Sequence, residues 1–141
     1  MTPVVDGLFE LADGKARLVG TRCRSCEALY FPRAISCANP ACREKRVETC
    51  LLPGTGTLHS YTVQRYQPPP LFRMDNWEPY ALGAVDLSPG LRVMGMLTGI
   101  AFDEVRIGMA LKVIAETLFS DDLRGDVATF KFTPLHPEDQ P

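Results

Sequence analysis

Histidine is scarce in this chain, with two residues in 141, and tryptophan occurs once. His59 falls in a stretch that reads as a strand and His136 in a proline-containing tail, so the usual general base of a triad has little to draw on. A glycine-rich phosphate loop of the strand–GxxxxGK–helix kind is missing. Long apolar runs are missing too. None approaches the roughly 18–20 residues that a membrane-spanning helix needs, and Leu91-Arg-Val-Met-Gly-Met-Leu is broken by a charge and a glycine. No apolar signal segment follows Met1-Thr2-Pro3. A cytoplasmic protein with reduced cysteines and no membrane partner is the expectation.

Cysteine is the residue that is present with a pattern. Cys23-Arg-Ser-Cys26 and Cys37-Ala-Asn-Pro-Ala-Cys42 are separated by ten residues. Thiolate pairs at such spacing converge on one tetrahedral zinc, each reaching the ion from a tight turn. A site with four protein ligands has no open position, so Zn2+ held by Cys23, Cys26, Cys37 and Cys42 is structural. Disulfides compete as an explanation, but the cysteines number five. Cys50 is left over, as a substitute for Cys37 or Cys42 or as a lone packed thiol.

Charge is balanced overall, at −2, but unevenly placed. Lys15 to Arg46 holds eight bases and two acids, and the rest seven bases and fifteen acids. A basic ribbon on an acidic body attracts phosphates or an acidic partner. Equally, such cations offset the zinc thiolates and cover a small core with their stems.

The fold class expected is mainly β: a short N-terminal helix and zinc ribbon over 1–50, then a five-stranded OB-like barrel and tail over 51–141. Val5, Leu8, Phe9 and Ala12 fall near one helical face, although Gly7 weakens it. Asp13-Gly14 signals a turn. Ala16–Arg22 and Ala28–Arg33 read as the ribbon's strands. Leu52-Pro-Gly-Thr-Gly marks the boundary. Strands are then expected from Thr57, Tyr80, Leu91, Ala110 and Ala128, separated by Gly-, Pro- and Asp-rich turns. Gly83 and Gly95 suit the bends of a closed barrel. The tail after Pro134 reads as frayed.

No catalytic constellation emerges. His59, Cys50 and Ser60 offer only a weak nucleophile–base unit. The segment Gln67–Pro79 is a stronger functional candidate. Three consecutive prolines hold it extended, and Leu71, Phe72, Met74, Trp77 and Tyr80 crowd together in it. Loops this long in compact domains are usually functional or disordered, and aromatics with Met and Arg compose interaction hot spots. The bland alternative is a lid on the barrel core.

These features together resemble a family, the domain-of-unknown-function 35 (DUF35) proteins, acyl-CoA-associated chains built from a zinc ribbon and an OB fold. The similarity rests on Arg22-Cys-Arg-Ser-Cys, Tyr30-Phe-Pro-Arg, Cys37 to Cys42, Gly54-Thr-Gly-Thr-Leu-His-Ser-Tyr-Thr-Val, Tyr80 to Leu87 ending in Pro89-Gly90, and Val105-Arg-Ile-Gly-Met. The chain departs from the pattern in its longer second knuckle and in Glu27, where a glycine often follows the first. The resemblance implies a non-catalytic accessory subunit beside a thiolase-fold catalytic subunit, as a heterotetramer acting on coenzyme A thioesters. Subunits of this type occur in aromatic acyl-CoA breakdown, the benzoylsuccinyl-CoA thiolase of toluene degradation among them, and in steroid side-chain removal. Phe72, Met74, Trp77, Tyr80, Arg24 and Arg33 become the expected contacts to partner or acyl-CoA, since Arg suits phosphate recognition. A rival function is a single-stranded nucleic-acid module, because ribbons and OB barrels both bind strands by charge and stacking. The acidic barrel opposes it.

Overall fold

A computed structural model describes residues 2–12 and 15–136. The strands are β1 (Thr2–Pro3), β2 (Phe9–Ala12), β3 (Lys15–Cys23), β4 (Leu29–Tyr30), β5 (Val47–Leu51), β6 (Thr55–Gln64), β7 (Tyr80–Ser88), β8 (Leu91–Leu97), β9 (Ala110–Asp121) and β10 (Gly125–Pro134). β6, β7 and β8 form an antiparallel meander. β9 then pairs with β6 and, as a hairpin, with β10, while β10 runs parallel to β8. The ring β6–β7–β8–β10–β9–β6 therefore closes on itself. Closure removes the exposed edges that a five-stranded sheet would otherwise carry.

Alternation fills the barrel. β8 buries Leu91 and Val93 while Arg92 and Met94 face out, as a strand with one covered face must. Leu58, Val85, Leu111 and Phe132 are essentially inaccessible, each contributing about 1.5–3 kcal/mol by leaving water. Gly83 and Gly95 oppose each other across β7 and β8. A Cβ on Gly95 would meet the Phe132 ring at 2.7 Å.

The ribbon strands pack on this barrel without a gap in the core. Phe9, Ala16, Leu18 and Leu52 join one buried cluster with Leu58, Val85 and Phe130. Phe130 is the hub, with Phe9, Phe31 and Phe132 edge-on to it at 6.5, 5.6 and 6.0 Å between centroids. The Arg17 guanidinium donates twice to the Leu52 carbonyl, at 3.0 and 2.8 Å.

The expected N-terminal helix is corrected. No α-helix occurs among the described residues. β1 instead lies parallel to β10, with Thr2 opposite Val127, and β2 pairs antiparallel with β3, with Phe9 opposite Leu18. Gly7 between them has φ +84°, which breaks a helix and suits glycine. The helical spacing of Val5, Leu8 and Phe9 is overridden by burial in two places. Val4 packs with Phe119 and Val127, and Phe9 packs with Leu18 and Phe130. A helix this short is marginal by itself. Of the expected second ribbon strand only Leu29–Tyr30 is strand, and Val47–Leu51, unanticipated, pairs along the other edge of β3. The Asp13-Gly14 turn and the end of the tail lie outside the described residues, but Leu135 is tied, its N–H donating to the Ala110 carbonyl at 3.0 Å.

Candidate functional site

The four cysteines expected to bind metal are brought together. Cys23 ends β3, Cys26 closes the first turn, and Cys37 and Cys42 come from the long connection to β5. Their sulfurs all lie within 4.8 Å of one another. Cys23 and Cys42 approach to 3.6 Å, and Cys26 and Cys37 to 3.5 Å. A tetrahedron with Zn–S bonds of about 2.3 Å has edges of ~3.8 Å, so the donor set fits zinc. Cys23, Cys37 and Cys42 are buried, while Cys26 is the outermost ligand.

The local backbone is shaped for thiolates. The N–H of Cys26 and then that of Ser25 point at Cys23 and, against the effect of burial, draw its thiol down to about 6. Tyr30, first, and the Asn39 N–H lower Cys37. Cys42 receives the Lys45 N–H, which lowers it, yet burial and hydrogen bonds with the other three cysteine sulfurs carry it up to about 11. Thiols this close oppose each other's ionisation. A dication is what allows all four to be thiolates together. Glu27, standing where a glycine is usual, adopts φ +65° and so keeps a glycine-like turn. Lys45, at φ +50°, turns the second knuckle and donates its Nζ to the carbonyls of Cys37 and Asn39, each at 3.0 Å.

Tyr30, absent from the site residues that the sequence points to, braces the cluster. Its phenol oxygen accepts the Ala38 N–H at 2.8 Å and lies 3.2 Å from Cys37 Sγ. Since the oxygen accepts from Ala38, its hydrogen is free to donate to the sulfur. Cys50 sits on β5 opposite Gly20, outside the cluster, and its thiol is pushed up by partial burial. His59 lies on β6 with Nδ1 3.9 Å from Asp86, whose carboxylate already accepts from Arg92 Nε at 2.8 Å.

The proline segment folds back on the barrel. Pro70–Phe72 forms a 3-10 turn. The Arg73 guanidinium stacks 3.7 Å above the Phe119 ring, the Asp75 N–H donates to the Leu118 carbonyl at 3.0 Å, and the Asp75 carboxylate accepts the Ser120 N–H at 3.1 Å. Phe72, Met74 and Tyr80 are half-buried against a second apolar cluster of Val4, Met96, Leu118, Phe119 and Val127. Trp77 and Leu71 stay exposed, at 36% and 50%. The six expected contacts thus occupy different settings. Arg24 is exposed, with Nε 3.8 Å from Glu48, which also takes Arg22 at 3.0 Å. Arg33 has no hydrogen-bond or ion-pair partner among the described residues.

Comparison with known proteins gives this arrangement its context. Residues 13–48 match the family model for the ChsH2 rubredoxin-like zinc ribbon domain, and residues 51–115 that for the ChsH2 C-terminal OB-fold domain. A DUF35 domain-containing scaffold protein of Pyrococcus furiosus is 30% identical over 86% of this chain and 85% of its own length. The probable enoyl-CoA hydratase alpha subunit of Thermomonospora curvata is 34% identical over 94% of this chain, which spans only 38% of that protein. The benzoylsuccinyl-CoA thiolase subunit BbsA of Thauera aromatica is 32% identical over 62% of this chain and 57% of its own length. A solved structure, the Ltp2-ChsH2(DUF35) aldolase, superposes with a TM-score of 0.61 at 33% identity, covering 84% of both chains.

Proposed function

Since this chain belongs to the DUF35 family, we propose that it is an accessory subunit of a heteromeric thiolase-like or aldolase-type complex acting on coenzyme A thioesters. In this proposal the chain contributes a fold and a metal site, and the nucleophile and base come from its partner. The observation that carries this is the company kept by its relatives, one named as a subunit of a thiolase and another solved as part of an aldolase. In this proposal the thiolase-fold partner supplies the chemistry of making or breaking a carbon–carbon bond. This chain supplies position: a docked surface excludes water and fixes the substrate. The acyl group is proposed to be aromatic or a steroid side chain, and the assembly a heterotetramer.

Within that proposal the zinc ribbon, residues 1–50, and the barrel, residues 51–141, have separate tasks. The zinc knuckles hold the ribbon rigid, so that Arg24 and Arg33 present cations towards the phosphates of coenzyme A. Trp77, Phe72, Met74 and Tyr80 face the catalytic subunit. Co-expression with a candidate thiolase-fold partner tests the whole reading. The two should co-purify, the isolated chain should turn over no acyl-CoA, and the complex should be active. Turnover by this chain alone, free of contaminating thiolase, would refute it.

A further inference from the structure

The barrel closes with only part of its first strand. β6 meets β9 over residues 55–57. Leu58 ends the seam, its N–H donating to the Met109 carbonyl at 3.0 Å and its carbonyl accepting the Gly108 N–H at 2.8 Å. β6 then runs on to Gln64 with β7 alone beside it among the described strands. A bulge between Leu58 and Ser60 reverses the alternation. Beyond it the N–H and C=O of Tyr61 and Val63 point away from β7, and no described residue takes them. The faces are open as well: residues 59–62 are exposed, and Val63 and Gln64 are half-buried.

An edge of this kind is a template for another strand. Proteins commonly blunt such edges with charge or proline, and the ribbon strands β2 and β5 carry Glu10 and Glu48. Residues 60–64, Ser-Tyr-Thr-Val-Gln, carry neither, and Tyr, Thr and Val are strong strand formers. The stretch is also complementary to itself. Set antiparallel to a second copy with the two-fold axis at Thr62, all of residues 60–64 overlap. In that register the outward groups of Tyr61 exchange hydrogen bonds with those of Val63 in the other copy. The side chains pair as Tyr with Val, Thr with Thr and Ser with Gln. None of these sets like charges together, and the first two are of the kinds that stabilise sheets. At the ends of the overlap Arg65, which has no acidic partner among the described residues, comes beside the other copy's His59 and Asp86, themselves 3.9 Å apart.

We propose that residues 60–64 of β6 are the interface of an isologous dimer of this chain, two barrels joined edge to edge across a two-fold axis. A single strand edge is a small contact, so monomer and dimer exchange with concentration. The inference stands apart from the accessory-subunit reading, because it needs this chain alone.

The test uses the zinc-loaded full chain in sedimentation velocity from about 1 μM to about 1 mM, the span of weak contacts. Monomer should give way to dimer as concentration rises. Thr62→Lys, at an exposed position, sets like charges against each other at the axis and should weaken association by about tenfold or more. Val63→Pro removes an N–H that has no partner in the monomer, a place where an edge strand tolerates proline. It too should stay monomeric, with zinc content kept. Cross-linking reads the register. Thr62→Cys puts two sulfurs across the axis on Cα atoms about 4.5 Å apart, and mild oxidation should give a covalent dimer well above the background of the native chain. Gln64→Cys alone should not, yet it should join to Ser60→Cys when the two are mixed. Several outcomes would overturn the dimer: a monomer at every concentration, a dimer that persists in both Thr62→Lys and Val63→Pro, or Thr62→Cys cross-linking no faster than Gln64→Cys. So would association that appears only with a thiolase-fold protein and is lost in Thr62→Lys, which would make the edge the seat of a foreign strand.

Discussion

The Tyr30 phenol spans from the Ala38 N–H, at 2.8 Å, to the Cys37 sulfur, at 3.2 Å, and so joins the ribbon strand β4 to the second knuckle. Contacts just outside a metal's ligands orient them and tune their basicity. Tyr30→Phe keeps the ring and removes the hydrogen bond. Zinc affinity, measured by competition with a chromogenic chelator, should fall by roughly 10- to 100-fold, with the barrel still folded. Unchanged affinity would reduce Tyr30 to a packing residue.

The zinc itself is the next expectation. Metal analysis should find about one zinc per chain. Cys23→Ser should lose it and loosen the ribbon, because so small a core folds together with its metal. Acid should release zinc as well, since protons compete for the thiolates. Retention of the full complement by Cys23→Ser would overturn the site.

What could be read from the sequence divides by distance along the chain. The cysteine spacing is local, and the ligand cluster follows from it. The strands from Tyr80, Leu91 and Ala110 are local too, with alternation bounded by Gly and Pro, and they begin where expected. The N-terminal segment departs from its local helical spacing because its fate is decided far away: β1 pairs with β10, more than a hundred residues on. The place of the proline segment was hidden for the same reason. Nothing near Arg73 in sequence announces the Phe119 ring that it stacks upon. Tyr30 could have been found, since an aromatic hydroxyl between two knuckles has few other uses.

Gly20 offers a sharper test of how the ribbon meets the barrel. A Cβ there would fall 2.4 Å from the Tyr30 carbonyl oxygen and 2.9 Å from both Leu52 δ-carbons. The oxygen is backbone and cannot swing aside. Gly20→Ala should cost about 1–3 kcal/mol by overpacking, read as a lowered midpoint in urea, and it should also weaken zinc binding because β4 moves.

Asp121 governs the pH response of the β9–β10 hairpin. Its carboxylate accepts the Arg124 N–H at 2.6 Å and the Leu123 N–H at 3.1 Å. The Arg124 N–H, with the Arg124 charge beside it, holds this group below the usual carboxylate range. A carboxylate whose value drops on folding adds stability above its unfolded value, about 3.9. That stability is lost as pH falls through the lower folded value. Melting temperature should therefore fall more steeply below about pH 4 in the native chain than in Asp121→Asn. Zinc release affects both proteins alike, so the difference isolates Asp121. Parallel curves would show the hydrogen bonds to be dispensable.

The loop separates two kinds of residue, and substitutions should separate them too. Met74 is half-buried on Phe119 and its neighbours, so Met74→Ala should lower the melting temperature first and partner affinity only as a consequence. Trp77 is exposed and lies outside that cluster. Prolines 68 to 70 and the Arg73–Phe119 stack hold the loop in place before any partner arrives, which reduces the ordering entropy lost on association. Truncating a central aromatic anchor costs on the order of 2 kcal/mol. Trp77→Ala should accordingly weaken the complex by roughly thirtyfold while melting temperature and zinc content hold. The opposite pattern, lower thermal stability with partner affinity and complex activity unchanged, would make Trp77 part of a lid and move the partner surface elsewhere on the chain.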